Sequence, residues 1–138
     1  MVANQNVRWW LYILELEDNK WYVGITSKSP EERFVEHSQH KRAAYWTMKH
    51  KPVKVELFED LGIVSKTHAE EYENKITRKL MKERGLNNVR GGDLRDTEEY
   101  TQHFGWIYLK SDWEILTIAI FFALSTLYLL IDKFFLSS

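Results

Sequence analysis

At 138 residues the chain has the size of one domain, and the ~110 residues ahead of an apolar C-terminal stretch suffice for one modest core. No cysteine is present, which excludes disulfides, thiol nucleophiles and cysteine-ligated zinc and fits a reducing compartment. The net charge of −1 conceals a pattern, because residues 28–54 carry seven Lys/Arg against three Glu and residues 75–95 carry seven against Glu83 and Asp93. Local basic stretches suit an anionic partner such as nucleic acid, and they equally suit solvated helix faces.

The start Met-Val-Ala-Asn-Gln-Asn-Val-Arg has no apolar run behind a basic residue, so no secretory signal is expected. Residues 8–16 and 21–26 are rich in aromatic and branched side chains and read as two strands of a hairpin. Glu17-Asp18-Asn19 between them supplies turn chemistry, with Asn19 suited to a positive φ. An odd number of loop residues places Leu14 opposite Tyr22 and Tyr12 opposite Gly24, so that both tyrosines share one face. An even number separates them, and the odd loop is the expectation.

Ser29-Pro30-Glu31-Glu32 then offers an N-cap, a proline for the first helical position and a capping box, predicting a helix from about Pro30 to His40. Arg33 and His37, four apart, share a face of it. Residues 41–52 show no clear period and read as a loop or frayed helix. Val53–Glu59 alternates apolar and polar, as a half-buried third strand does. Thr67-His68-Ala69-Glu70 reads as a second capping box, opening a helix that stops near Arg84 with Gly85 at its C-terminal cap. Ala69, Ile76 and Leu80 form its apolar stripe, flanked by Tyr72 and Met81, and Glu73 falls inside that stripe. A carboxylate there breaks the binary pattern, which marks either a functional site or an edge glutamate paired with Arg33 or Arg90. Asn87-Asn88-Val89-Arg90-Gly91-Gly92 makes a compact turn, and residues 93–112 read as a short terminal element plus linker.

From Ile115 to Ile131 no residue is charged. As a helix these residues would span ~26 Å, just short of a bilayer's hydrocarbon core. Trp113 and Tyr128 can serve as interfacial aromatics, and Lys133 can snorkel. The segment 113–136 is therefore expected to be a single-pass transmembrane tail anchor rather than a packing helix, since it is apolar on all sides.

The polar residues resemble the GIY-YIG nuclease family, whose name records two hairpin tripeptides. Here these are Trp10-Leu11-Tyr12, which departs from the family at its glycine, and Tyr22-Val23-Gly24. The likeness covers roughly residues 8–92 and continues in Arg33 to His37, in Glu73, and in an ending, Asn88-Val89-Arg90-Gly91-Gly92, similar to one subgroup. The resemblance implies an α/β fold with a three-stranded antiparallel sheet flanked by helices over residues 7–92, and phosphodiester hydrolysis with one divalent ion, Mg²⁺ or Mn²⁺. It implies Glu73 as sole protein ligand of the metal, Tyr12 as activator or orienter of the attacking water, Tyr22 as a phosphate contact and Arg33 as phosphate clamp. His37 would be a phosphate contact or proton carrier, and Asn88 (or Asn87, one register off) a bridge between backbone groups. Lys28, His40, Lys41, Arg42 and Arg90 are candidate nucleic-acid contacts, and Tyr45 and Trp46 could stack bases or simply pack.

Two function classes follow. One is a membrane-anchored DNA endonuclease with its nuclease domain in the cytoplasm. The other is a catalytically silent relative that tethers nucleic acid or a protein to the membrane. A nuclease acting on RNA is a variant of the first. High sequence specificity in so small a domain would need homo-oligomerisation or a partner.

Overall fold

Three residues, Glu17–Asn19, join β1 (Val7–Leu16) to β2 (Lys20–Thr26), so Leu16 pairs with Lys20, Leu14 with Tyr22 and Tyr12 with Gly24. This is the expected odd register. Asp18 and Asn19 both take left-handed backbone, with φ of 61° and 55°, which their short polar side chains tolerate. The computed structural model describes residues 6–38 and 44–137, with residues 30, 37 and 38 described as backbone alone. His40, Lys41 and Arg42 lie outside the described residues.

β1 pairs on its other side with β3 (Pro52–Val64), again antiparallel. β3 runs five residues past the alternating segment Val53–Glu59, and in that extension a register shift, where Trp9 pairs with Gly62 and Trp10 with Asp60, interrupts the alternation. The sheet then departs from the three-stranded antiparallel expectation. A fourth strand, β4 (Val89–Gly91), pairs parallel with β2, giving the order β3-β1-β2-β4 and a mixed sheet. Since β2 and β3 are both antiparallel to β1, β4 also runs parallel to β3. Helix α3 (Lys66–Arg84) is the crossover between them, the long connection that parallel strands require.

Two helices precede β3, α1 (Pro30–Ser38) and the short α2 (Tyr45–Lys49). The Ser29 hydroxyl accepts the Glu32 backbone N–H at 3.3 Å, as the capping box requires. At α3 the cap is Ser65, whose hydroxyl accepts the His68 N–H at 3.2 Å, rather than Thr67. At the other end the Gly85 N–H donates to the Met81 carbonyl, and Gly85 has a φ of 103°.

One face of the sheet buries Tyr12, Leu14, Leu16 and Tyr22 with Trp46 of α2, and Phe34, Ala44 and Phe58 pack against them. On the other face Val23 and Gly91 meet Thr77 of α3. The buried row of α3 is Ala69, Glu73, Thr77, Leu80 and Met81, so Thr77 takes the place expected of Ile76. Trp46, expected as a possible base-stacking residue, is a core residue 3 % exposed, whereas Tyr45 beside it is exposed.

Arg90 is 1 % exposed, and its guanidinium stacks on Trp46 at 4.5 Å. It donates to the carbonyls of Asp96, Leu86 and Val89 and to the Asn87 side chain. It is a strut between turns, and this placement does not present it to a phosphate. Its removal strands several carbonyl acceptors at once. Arg90→Ala is expected to cost about 3 kcal/mol, with Arg90→Lys a poor rescue because a point ammonium cannot reproduce the fork. Urea unfolding followed by circular dichroism measures both.

The chain divides into two compact units, Met1–Thr97 and Glu98–Ser138. In the second, the segment expected as a short terminal element plus linker contains a hairpin, β5 (Tyr100–His103) and β6 (Trp106–Leu109), followed directly by α4 (Lys110–Leu136). The 27 residues of α4 extend for ~40 Å. An 18-residue window of it has a mean hydropathy of 2.2 and none of that window is buried, so the helix is long and apolar enough to cross a membrane. The hydroxyls of Ser125 and Thr126 donate back to the carbonyls of Phe121 and Phe122, so these two hydrogens are satisfied within the helix.

Candidate active site

Tyr12 owes its position to Gly24. A Cβ at residue 24 would stand 2.3 Å from both Cζ and Oη of Tyr12, so the phenol lies across β2 in space that only glycine leaves open. The rings of Tyr12 and Tyr22 lie 6.2 Å apart, and the two hydroxyls are hydrogen-bonded to each other. Arg33 on α1 donates from Nε to the Tyr12 hydroxyl at 3.1 Å, and its Nη1 holds Glu36 Oε2 at 2.8 Å. Glu36 also pairs with Lys28, and these two cations hold its carboxyl down at about 2. Lys28 thus sits beside the arginine on the exposed side. For His37 only the backbone position on α1 is described.

Glu73 is 8 % exposed, and burial raises its pKa. A hydrogen bond from the Gly92 N–H and the charge of Arg95 work against that shift, while Glu70 and Asp93 add to it. The cation that weighs most on Glu73 is Arg95, where Arg33 or Arg90 was considered from sequence. The turn carrying Gly92 is fixed to α3 by Asn74, which accepts the Asp93 N–H at 2.8 Å and donates to the Asp93 carboxylate at 3.0 Å. Gly92 has a φ of 51°, and a Cβ there would meet Asn74 Oδ1 at 2.0 Å. The paired glycines therefore let the turn press onto α3 and deliver an N–H to the carboxylate.

Burial lifts the Tyr12 hydroxyl far above the ordinary tyrosine value, with Tyr22 and Glu73 pushing the same way against Arg33. Tyr22 is pushed up to about 12, first by burial and then by the Glu73 charge. Burial works against the Arg33 charge, but Tyr12 and Glu36 more than offset it and its pKa rises. Both tyrosines are therefore neutral phenols beside a fixed cation, and the Glu73 charge reaches both of them.

Asn88 stands apart from this group and does structural work. Its Nδ2 donates to the Arg84 carbonyl at 2.8 Å, its Oδ1 accepts Lys20 Nζ at 2.8 Å, and its carbonyl accepts the Trp21 N–H. It ties the end of α3 to the start of β2. Arg95 and Asn74 were not singled out from sequence, since their roles arise only when the turn folds onto α3.

A cleft of about 290 Å³ opens at Glu73, lined also by Glu70, Asn74, Gly92, Asp93 and Arg95. Among the described residues no three His, Asp or Glu side chains gather to hold a metal ion. One buried carboxylate in an oxygen-lined polar cleft fits a hard divalent ion that keeps most of its waters, and does not fit an all-protein cage.

Sheet, crossover helix and polar group together define a small mixed α/β domain that gathers an arginine and a carboxylate around a tyrosine pair. Residues 8–87, more than half of the chain, match the GIY-YIG catalytic domain, and the protein belongs to that family, whose members are nucleases. Comparison with curated proteins and with solved structures finds no match.

Replacing Glu73 with glutamine separates chemistry from stability. A carboxyl raised by burial is favoured in its protonated form on folding, so it lowers stability as pH climbs from the unfolded value through the folded one. Glu73→Gln is expected to raise the melting temperature at pH 7, with the gain shrinking below pH 4.5, while abolishing any Glu73-dependent activity. Thermal unfolding at pH 7 and pH 4, run beside an activity assay, reads both effects.

Proposed function

We propose that this protein is a membrane-anchored, divalent-metal-dependent endonuclease that hydrolyses phosphodiester bonds in DNA. The observation that carries this reading is the meeting, around one hydrogen-bonded tyrosine pair, of Arg33 from α1 and the charge of Glu73 from α3. The segment Asn88–Gly92 lies just beyond the family match. We assign it to the same module, because Gly92 donates to Glu73 and Asn88 braces α3 against β2.

Glu73 would hold one Mg²⁺ or Mn²⁺, which when bound polarises the scissile phosphate and stabilises the leaving oxygen. Arg33 supplies a permanent charge for the phosphate oxygens as negative charge grows in the transition state. Tyr12 and Tyr22 orient the attacking water and a phosphate oxygen as neutral phenols, since burial opposes their ionisation at working pH. Arg33 Nε donates to the Tyr12 hydroxyl, which is hydrogen-bonded in turn to Tyr22, so the three groups form one connected relay. The exposed ring of Tyr45, beside Lys49 at an open cleft, offers one stacking face for an unpaired base.

The cleavage test uses the full chain in detergent with supercoiled plasmid and single-stranded DNA, in Mg²⁺, Mn²⁺ or chelator. Metal-dependent cleavage is expected, with Glu73→Ala and Arg33→Ala each lowering it by a factor on the order of 100 or more. Wild-type rates in both variants would refute the site. No tyrosine titration is expected in the rate profile below pH 10, since Tyr22 lies near 12 and Tyr12 higher still.

The uncovered apolar surface of α4 supports the anchor, and the absence of cysteine suits a catalytic unit on the reducing, cytoplasmic side. Fractionation of cells expressing the full chain, or a version ending at Ser111, is expected to move the protein from the membrane to the soluble fraction. If the full chain is soluble, the anchor is refuted.

A further inference from the structure

The β5–β6 hairpin contains a choice that neither folding nor catalysis explains. His103 pairs with Trp106, so the connection is the two residues Phe104 and Gly105, with left-handed φ of 53° and 82°. Hairpins of this kind favour asparagine or aspartate at the first position, because a bulky side chain is strained there. Here the position holds phenylalanine, a residue that is 91 % exposed. Trp106 beside it is 70 % exposed. Strain is therefore accepted to hold an aromatic ring out in solvent, where it contributes nothing to packing.

The placement of the hairpin along α4 shows where that ring lies. The His103 ring stacks on Trp113 at 3.9 Å with planes 10° apart, and Tyr108 lies 5.9 Å from the same indole. His103 is the last residue of β5, so the turn end of the hairpin is the end held against the first turns of α4. At the other end, the Lys110 N–H donates to the Glu99 carbonyl and Ser111 Oγ to the Glu98 carboxylate. The hairpin folds back along the helix, with its polar, charged end at the helix start and its aromatic tip level with Trp113. The uncharged run begins two residues later, at Ile115.

We propose that the tip Phe104–Trp106 is a lipid-contacting wedge that enters the interface of the same bilayer that α4 crosses. The inference rests on the membrane reading of α4 and extends it to a second attachment point. The occupant follows from chain continuity and chemistry. Aromatic rings level with the start of an apolar span, with Trp113 and Tyr108 behind them, match the interfacial zone in which tryptophan and its relatives settle. Two attachments would fix the depth and tilt of the helix start, as a single helix end does not.

The chain has no cysteine, so single labels can be placed without removing any native residue. Full chain carrying Phe104→Cys, Glu99→Cys or Leu124→Cys is labelled with a fluorophore and reconstituted in phosphatidylcholine vesicles. Quenching by iodide in the water is compared with quenching by lipids brominated near the headgroup. The expected result is loss of iodide quenching and gain of lipid quenching at 104, with 99 remaining open to iodide and 124 buried in lipid. A label at 104 that iodide still reaches, while 124 is in lipid, overturns the wedge and leaves the anchor standing. Iodide access at both 104 and 124 overturns both. Protection at 104 from iodide and lipid alike means that protein covers the tip, a second copy or another partner, and this too overturns the proposal.

Discussion

The phenol of Tyr12 lies across its cross-strand neighbour, and it can do so because that neighbour, Gly24, has no side chain. From this contact the remaining geometry follows in order. The flat placement brings the Tyr12 hydroxyl to Arg33 on the first helix and to Tyr22 on the second strand. The Tyr12 ring also stacks toward Phe58 of β3, so the same side chain joins three strands of the core to the polar group. Polar group and core are one packing unit, which is why the tyrosines are buried and yet meet Arg33.

Glu73 shows the opposite economy, a group that costs stability where it stands. Its row on α3 is otherwise Ala69, Thr77, Leu80 and Met81, and the Gly92 N–H and the charge of Arg95 are what chiefly offset its burial among the described residues. Thr77 adds no donor to the carboxylate, since its hydroxyl returns to the Glu73 carbonyl one turn back. The paired glycines and Asn74 then appear as the supporting shell of one acid. They hold a turn close enough to supply a single donor, without neutralising the charge that a cation would need.

What was legible in the sequence was local. The hairpin register followed from turn length and side-chain alternation, Ser29 and Gly85 from their cap chemistry, and Glu73 from a break in a helical stripe. What stayed hidden depended on long-range packing. β4 is three residues long, too short to show a period, and exists because α3 returns the chain beside β2. The second half of β3 was masked by the register shift between Asp60 and Gly62, which breaks the alternation there. Arg90 looked like a phosphate contact because an arginine in a basic stretch does; its burial depends on Trp46, far from it in sequence, and on how the flanking turns fold around its guanidinium. For Trp46, left open between stacking and packing, the same long-range contacts decide for the core. The β5–β6 hairpin escaped because Phe-Gly is an unusual pair for so tight a turn.

The three-residue connection Glu17–Asn19 has a consequence for how this protein can vary. Side chains alternate between the faces of a strand, so the loss or gain of one residue there would turn Tyr22 away from Tyr12 and slide Gly24 out from beneath its ring. Substitutions in the turn leave that relation intact, as would a change of two residues. Relatives that keep this site are therefore free in the composition of the loop while its length is held to one parity, a constraint on insertions and deletions that no single side chain in the turn reveals.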